Sequence, residues 1–308
     1  MNTSRRVTVV ASSVLALTLA GAAAMLHAVD KQRKAMSAEE VLYIRSPKAL
    51  KVMSLGYTGL LADLYWTRAV QYFGYQHFRG SDDLHQLGPL LEIATQLDPH
   101  LLPAYSFGSN FLAPLPPNGA GEPQRAIALA EFGIRNNPDN WKLYYDLGFT
   151  YYLELKDYPK AAEAFRRGAE IPGAHPFVRI LAARMAQHAG EFETSRMLWT
   201  TTYQSSKDKD IQRNAVDHLK ALQVDEEVAE LEKVVDQYRE QMGISPHDIN
   251  DVIGAGMLEG VPVDPTGKPY KVTPDGRVEL SDPDSILYVT KGLPPGKESP
   301  LPKPVANK

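Results

Sequence analysis

Residues 144–173 read YYDLGFTYYLELKDYPKAAEAFRRGAEIPG, and this stretch constrains the fold more than any other. Tyr144, Leu147, Gly148 and Tyr151 recur at steps of three and four, so they share one face of a helix. After a turn, Ala161, Phe165 and Gly168 form the matching face of a second helix, and Gly148, with no Cβ, lets that helix approach closely. Two other segments carry one common register. Leu87, Leu91, Ala94 and Pro99 are separated by four, three and five residues, and Ala126, Ala130, Gly133 and Pro138 repeat those offsets. Unrelated helices have no reason to place bulky, small and proline positions alike, so the chain is built from a repeated helix pair.

The first pair opens with the aromatic run LLADLYWTRAVQYFGYQHF from Leu60, in which Leu61, Tyr65, Ala69, Tyr72 and Phe73 mark a buried helix face. Asp63 and Arg68 within it lie five apart and are expected on the exposed side or against a neighbouring helix. Ala104, Phe107, Gly108 and Phe111 start the second pair, whose turn holds the insertion PLPPNGAG from Pro114 to Gly121. A fourth pair carries Ala182, Ala183 and Ala186, then Ser195, Trp199 and Thr202. A fifth is expected from Ile211 to Leu222 and over Val228, Leu231, Val235, Tyr238 and Met242, its charged outer helix suiting the end of a stack that must face water. The alternation of bulky and small residues resembles the tetratricopeptide repeat (TPR), with one extra residue in the turn near Leu155. That resemblance implies an all-α fold, a helical solenoid over residues 60–243.

Ahead of it, Val7 to Leu26 is uncharged and about as long as a bilayer-spanning helix, which needs ~20 residues. Arg5 and Arg6 before it favour a cytoplasmic N-terminus and an exported body. Alanines 22–24 and the step Leu26-His27-Ala28 resemble a cleavage site, so residues 1–28 read as a retained signal anchor or a removed signal peptide. Residues 29–59 are a linker with short helices, one capped by Ser37 with Glu40 and one starting at Ser46-Pro47 and ending near Gly56.

Periodicity stops at Gly243. Residues 244–291 comprise a helix starting at Ser245-Pro246 and Asp248, then a β-hairpin in which Tyr270 and Val272 face Val278 and Leu280 across Asp275-Gly276. Such a hairpin is too small to stand alone and should dock on the last helices. Asp264, Pro265, Gly267, Pro269 and Tyr270 resemble the DPxGxPY segment near the end of type II secretion pseudopilins. Residues 292–308 are dominated by Pro and Lys and are expected to be disordered. The LLADLYW opening, the N-terminal apolar segment and the closing hairpin together resemble bacterial envelope TPR proteins, a resemblance that carries an architecture and no reaction.

Chemistry-bearing patterns are sparse. With no cysteine there is no disulfide, thiolate or lipid-bearing cysteine, and a net charge of -4 argues against a nucleic-acid surface. His77, His85, His100, His175, His188, His218 and His247 form no pair with ligand spacing, and each is expected on the surface or in a loop. The Gly260–Lys268 segment is a turn, since Pro269 stands where a phosphate loop needs Ser or Thr. Asp264, Asp275, Asp282 and Asp284 could gather around calcium, but acidic turn residues are common without metals. The sequence therefore reads as a non-enzymatic protein-interaction scaffold without cofactor or metal, tethered to the bacterial inner membrane with its body in the periplasm, in a secretion, pilus or transport assembly. The alternative is an exported accessory subunit, periplasmic or secreted after cleavage, that positions a substrate or catalytic partner.

In TPR proteins the concave groove is lined by the first helix of each pair. By register, this places Trp66, Val70 and Phe73, then Tyr105, Ser109 and Leu112, then Tyr145, Phe149 and Tyr152, then Ile180, Arg184 and Gln187 on that face. The Lys and Asn that clamp a peptide carboxylate in some repeat proteins are missing there. An aromatic groove suits an apolar or Pro-rich peptide or a partner helix, unless the rings fill it by packing on one another.

Overall fold

A computed structural model of the chain describes residues 13, 15–25 and 46–300, and its fold is predominantly helical. The chain divides into two compact units, Met1–Thr58 and Gly59–Lys308.

In the first unit, residues 15–25 form α1, along which Leu15, Leu17, Leu19 and Met25 are exposed. Residues 7–12, 14 and 26 of the apolar segment, Arg5, Arg6, the cleavage-like step at Leu26 and the Ser37–Glu40 cap lie outside the described residues. Among the described residues no helix is long and apolar enough to cross a membrane. α2 (Pro47–Met53) begins as its sequence dictates, with Ser46 Oγ accepting from the Ala49 N–H and Pro47 in the first turn.

The second unit runs α3 (Thr58–Phe78), α4 (Leu87–Leu97), α5 (Leu102–Leu112), α6 (Pro123–Asn136), α7 (Trp141–Phe149), a π-helical turn (Thr150–Glu154), α8 (Tyr158–Ala169), α9 (Phe177–His188), α10 (Phe192–Ser205) and α11 (Lys209–Met242). From α4 to α11 each helix packs on the next, and α4–α6 and α5–α7 also touch. The close approaches fall at glycines. A Cβ on Gly148 would lie 2.6 Å from the Phe165 ring, and one on Gly133 would lie 2.8 Å from the Tyr105 ring. Just before Leu155, where one extra residue was expected, Thr150–Glu154 form a π-helical turn.

Instead of a fifth helix pair, one unbroken helix of 34 residues, α11, spans Lys209–Met242. No Gly or Pro interrupts that span, and Ala221, Leu222, Glu226 and Glu227 at the expected break are good helix formers. Asp208 caps its start, accepting from the N–H groups of Asp210 and Ile211, and left-handed Gly243 (φ 73°) ends it.

α12 (Ile249–Gly254) is capped by Asp248 rather than by Ser245. β1 (Tyr270–Val272) and β2 (Val278–Leu280) pair antiparallel with Tyr270 opposite Leu280. The hairpin docks on α11: Tyr270, Val272, Val278, Leu280, Ile286 and Val289 form one buried cluster with Val224, Val228, Leu231 and Val235. Packing continues past residue 291, where the Gly292 carbonyl accepts from the Leu280 N–H and Lys297 reaches Asp284 at 2.7 Å.

Candidate functional site

The first helix of each pair was expected to share one face, and its candidate residues separate into three groups. Trp66 and Phe73 on α3 are half-buried against α5. The Trp66 ring meets Phe107 edge-on at 5.1 Å, and Phe73 lies 5.6 Å from Phe107 and 4.3 Å from Phe111. Tyr105 is 1% exposed, with its hydroxyl donating to the Pro99 carbonyl at 3.0 Å, so it offers no surface to a partner. It does what Tyr144 does in the next pair, where the hydroxyl donates to the Pro138 carbonyl at 3.2 Å. Leu112 and Gln187 are also buried, and the Gln187 amide donates to Asp225 and to the Tyr288 carbonyl.

Tyr145, Phe149 and Tyr152 form the second group, a half-buried string of rings. Tyr145 and Phe149 are 4.7 Å apart, Phe149 and Tyr152 6.3 Å, and Phe165 of α8 supports the first two at 6.1 and 5.3 Å. Lys156 Nζ sits 5.7 Å over the Tyr152 ring.

Beside this string lies a cavity of ≈ 280 Å³. Ser109, Asn110 and Pro114 come from α5 and the loop after it, Tyr145, Asp146 and Phe149 from α7, and Thr150, Leu153 and Glu154 from the π-helical turn. Three expected site residues, Ser109, Tyr145 and Phe149, are thus brought together. Ser109 is 9% exposed and its hydroxyl has no hydrogen-bond partner. Asp146 Oδ2 accepts from the Ser106 hydroxyl at 2.6 Å. Burial pushes the Asp146 carboxyl above its ordinary pKa, against the opposing pull of Ser106 and the Lys142 charge. Sequence reasoning missed Asp146 and Glu154. The available signal was an acid embedded between aromatic and apolar residues in YYDLGF.

Arg184 stands in the third group, half-buried on α9. Its charge and that of His188 act, after burial itself, to hold His218 down to a pKa of about 3. Against the surface expectation, His218 is 3% exposed, stacked between Trp199 at 4.0 Å and Tyr288 at 3.9 Å. It is buried because Ala215, His218 and Leu222 fall on one stripe of α11. One turn on, Asp225 is fully buried and takes four hydrogen bonds: from Gln187, from the Thr290 hydroxyl and N–H, and from the Lys291 N–H.

The acidic turn residues do not converge. Asp264 accepts from Thr266 and Lys268, Asp275 pairs with Arg277, Asp282 with Lys268 and Asp284 with Lys297. Among the described residues no three metal-ligating side chains come together. A larger cleft, ≈ 1050 Å³, opens where the hairpin meets α11 and is lined by Glu191, Glu193, Glu226, Glu227 and Glu230. Tyr270, from the pseudopilin-like segment, is buried at its edge and donates to Glu227 at 2.5 Å. No protein-family model and no curated protein matches this sequence.

Proposed function

We propose that the chain is a non-enzymatic TPR scaffold of the bacterial cell envelope, tethered through Val7–Leu26, that binds a peptide or helix of a protein partner on the face of α5 and α7. The observation that carries this reading is the string Tyr145–Phe149–Tyr152 beside a cavity that no side chain fills. Half-exposed aromatic rings give large contact area at small entropic cost. The repeat reading draws support from the two equivalent contacts in successive pairs, Tyr105 over Gly133 and Tyr144 against Gly168, each with its hydroxyl on a proline carbonyl six residues upstream.

Gentle detergent extraction of the full-length chain, followed by copurification, tests the reading. Replacing Tyr145 and Tyr152 together by Ala should remove the partner while the melting temperature holds. Loss of several kcal/mol of stability, of the size typical for large core truncations, would assign both rings to the core instead. The tether is read separately: the chain should resist a carbonate wash of membranes, and protease added to spheroplasts should digest its body. A soluble mature chain starting near Val29 would end the tether model.

A further inference from the structure

We infer that the cavity between α5 and α7 is a subsite for a cationic side chain, an ammonium or guanidinium group presented by the bound partner segment. The inference rests on the reading of this face as the partner-binding one.

Charge decides the class of ligand. Two carboxylates, Asp146 and Glu154, line the cavity, and no cationic residue does. Among the described residues neither acid forms an ion pair with a Lys or Arg, and Asp146 has one hydrogen bond, from Ser106. An anion is therefore repelled. An apolar group would strip water from Asp146 and leave it with a single partner, a costly arrangement for a charged group.

The remaining walls favour a cation with several N–H donors. Ser109 lines the cavity with its hydroxyl buried and unpartnered, so a turn of that side chain would let the oxygen accept from an incoming N–H. Tyr145 and Phe149 are aromatic residues in the lining of the same space, and a cation over an aromatic ring gains further attraction. At ≈ 280 Å³ the cavity falls below the ~300–1,000 Å³ of sites for whole small molecules, a size that fits one side chain. Burial is what raises the pKa of Asp146, and the Lys142 charge, from outside the cavity lining, offsets it only in part.

The full-length chain in detergent micelles, titrated calorimetrically with the peptide acetyl-Ala-Ala-Arg-Ala-Ala-amide and with its citrulline analogue, provides the test. Citrulline keeps the shape of arginine and removes the charge. The arginine peptide should bind at least about tenfold tighter, a difference of ~1.4 kcal/mol. Asp146→Asn should shrink that advantage to less than about twofold, and Glu154→Gln should reduce it by a smaller factor. Equal binding of the two peptides by the wild-type chain overturns the subsite, and so does an advantage that survives both substitutions. Binding of neither peptide overturns it too. In each of these cases the face reading stands if the tyrosine pair still governs copurification, and falls with the subsite if it does not.

Discussion

Asp146 and Asp225 are both carboxylates inside helical surroundings, and burial raises the pKa of each, yet they are finished differently. Asp225 receives four hydrogen bonds, three from residues 290 and 291 and one from Gln187, which closes the C-terminal module onto α9 and α11. Asp146 receives one and borders a cavity. A carboxylate whose hydrogen-bonding capacity is filled from within holds a fold together, whereas one with a single internal partner beside open space keeps capacity for groups from outside.

The largest expected effect comes from breaking the completed network. Asp225→Ala leaves the donors of Thr290, Lys291 and Gln187 buried without an acceptor and should cost about 4 kcal/mol. Urea denaturation measures the loss, and limited proteolysis should show residues 244–291 cut first. Unchanged stability would mean that the hairpin is held by its apolar cluster alone.

His218 sharpens the same side of the comparison through pH. Its folded pKa of about 3 lies below the ordinary ~6.5, so below pH 6.5 the unfolded chain takes up a proton that the folded chain refuses. Stability is fully present above that value and falls as pH drops toward 3, by about 3 kcal/mol at pH 4. His218→Phe should remove this part of the acid sensitivity, read as a smaller drop in urea midpoint between pH 7 and pH 4 than in the parent chain.

At the α7–α8 pair the expected effect is smaller. Gly148→Ala places a methyl 2.6 Å from the Phe165 ring and should cost about 2 kcal/mol as the ring shifts. Because Phe165 also supports Tyr145 and Phe149, the substitution should weaken partner binding as well, which a copurification assay reads.

How much of this was legible varies with the range of the interactions. The α7–α8 pair, the hairpin register and the stop at Gly243 are local, fixed by spacing of three and four, by a turn or by a cap. The role of Tyr105 was not. Tyr144 precedes its glycine by four residues and Tyr105 precedes Gly108 by three, and both spacings keep a side chain on the same helix face. Alignment by glycine therefore put Tyr105 in the groove, while its distance from Pro99 put it in the core. Continuity of α11 could have been read from the missing breakers. The Asp225 network could not, since its partners on the closing loop lie 65 and 66 residues away. For the cavity, Ser109, Tyr145 and Phe149 followed from register, but the acids that set its chemistry stood outside the aromatic pattern.

The most direct test replaces both carboxylates by amides and measures the two variants side by side in urea, together with arginine-peptide binding. Asp225→Asn turns an amide against the Gln187 and Thr290 donors and should cost about 2 kcal/mol with no change in binding. Asp146→Asn can still accept from Ser106 and should move stability by less than about 0.5 kcal/mol while reducing the preference for arginine over citrulline to less than about twofold. If Asp146→Asn instead destabilises the chain as much as Asp225→Asn and leaves peptide binding unchanged, the face of α5 and α7 is core rather than a binding surface.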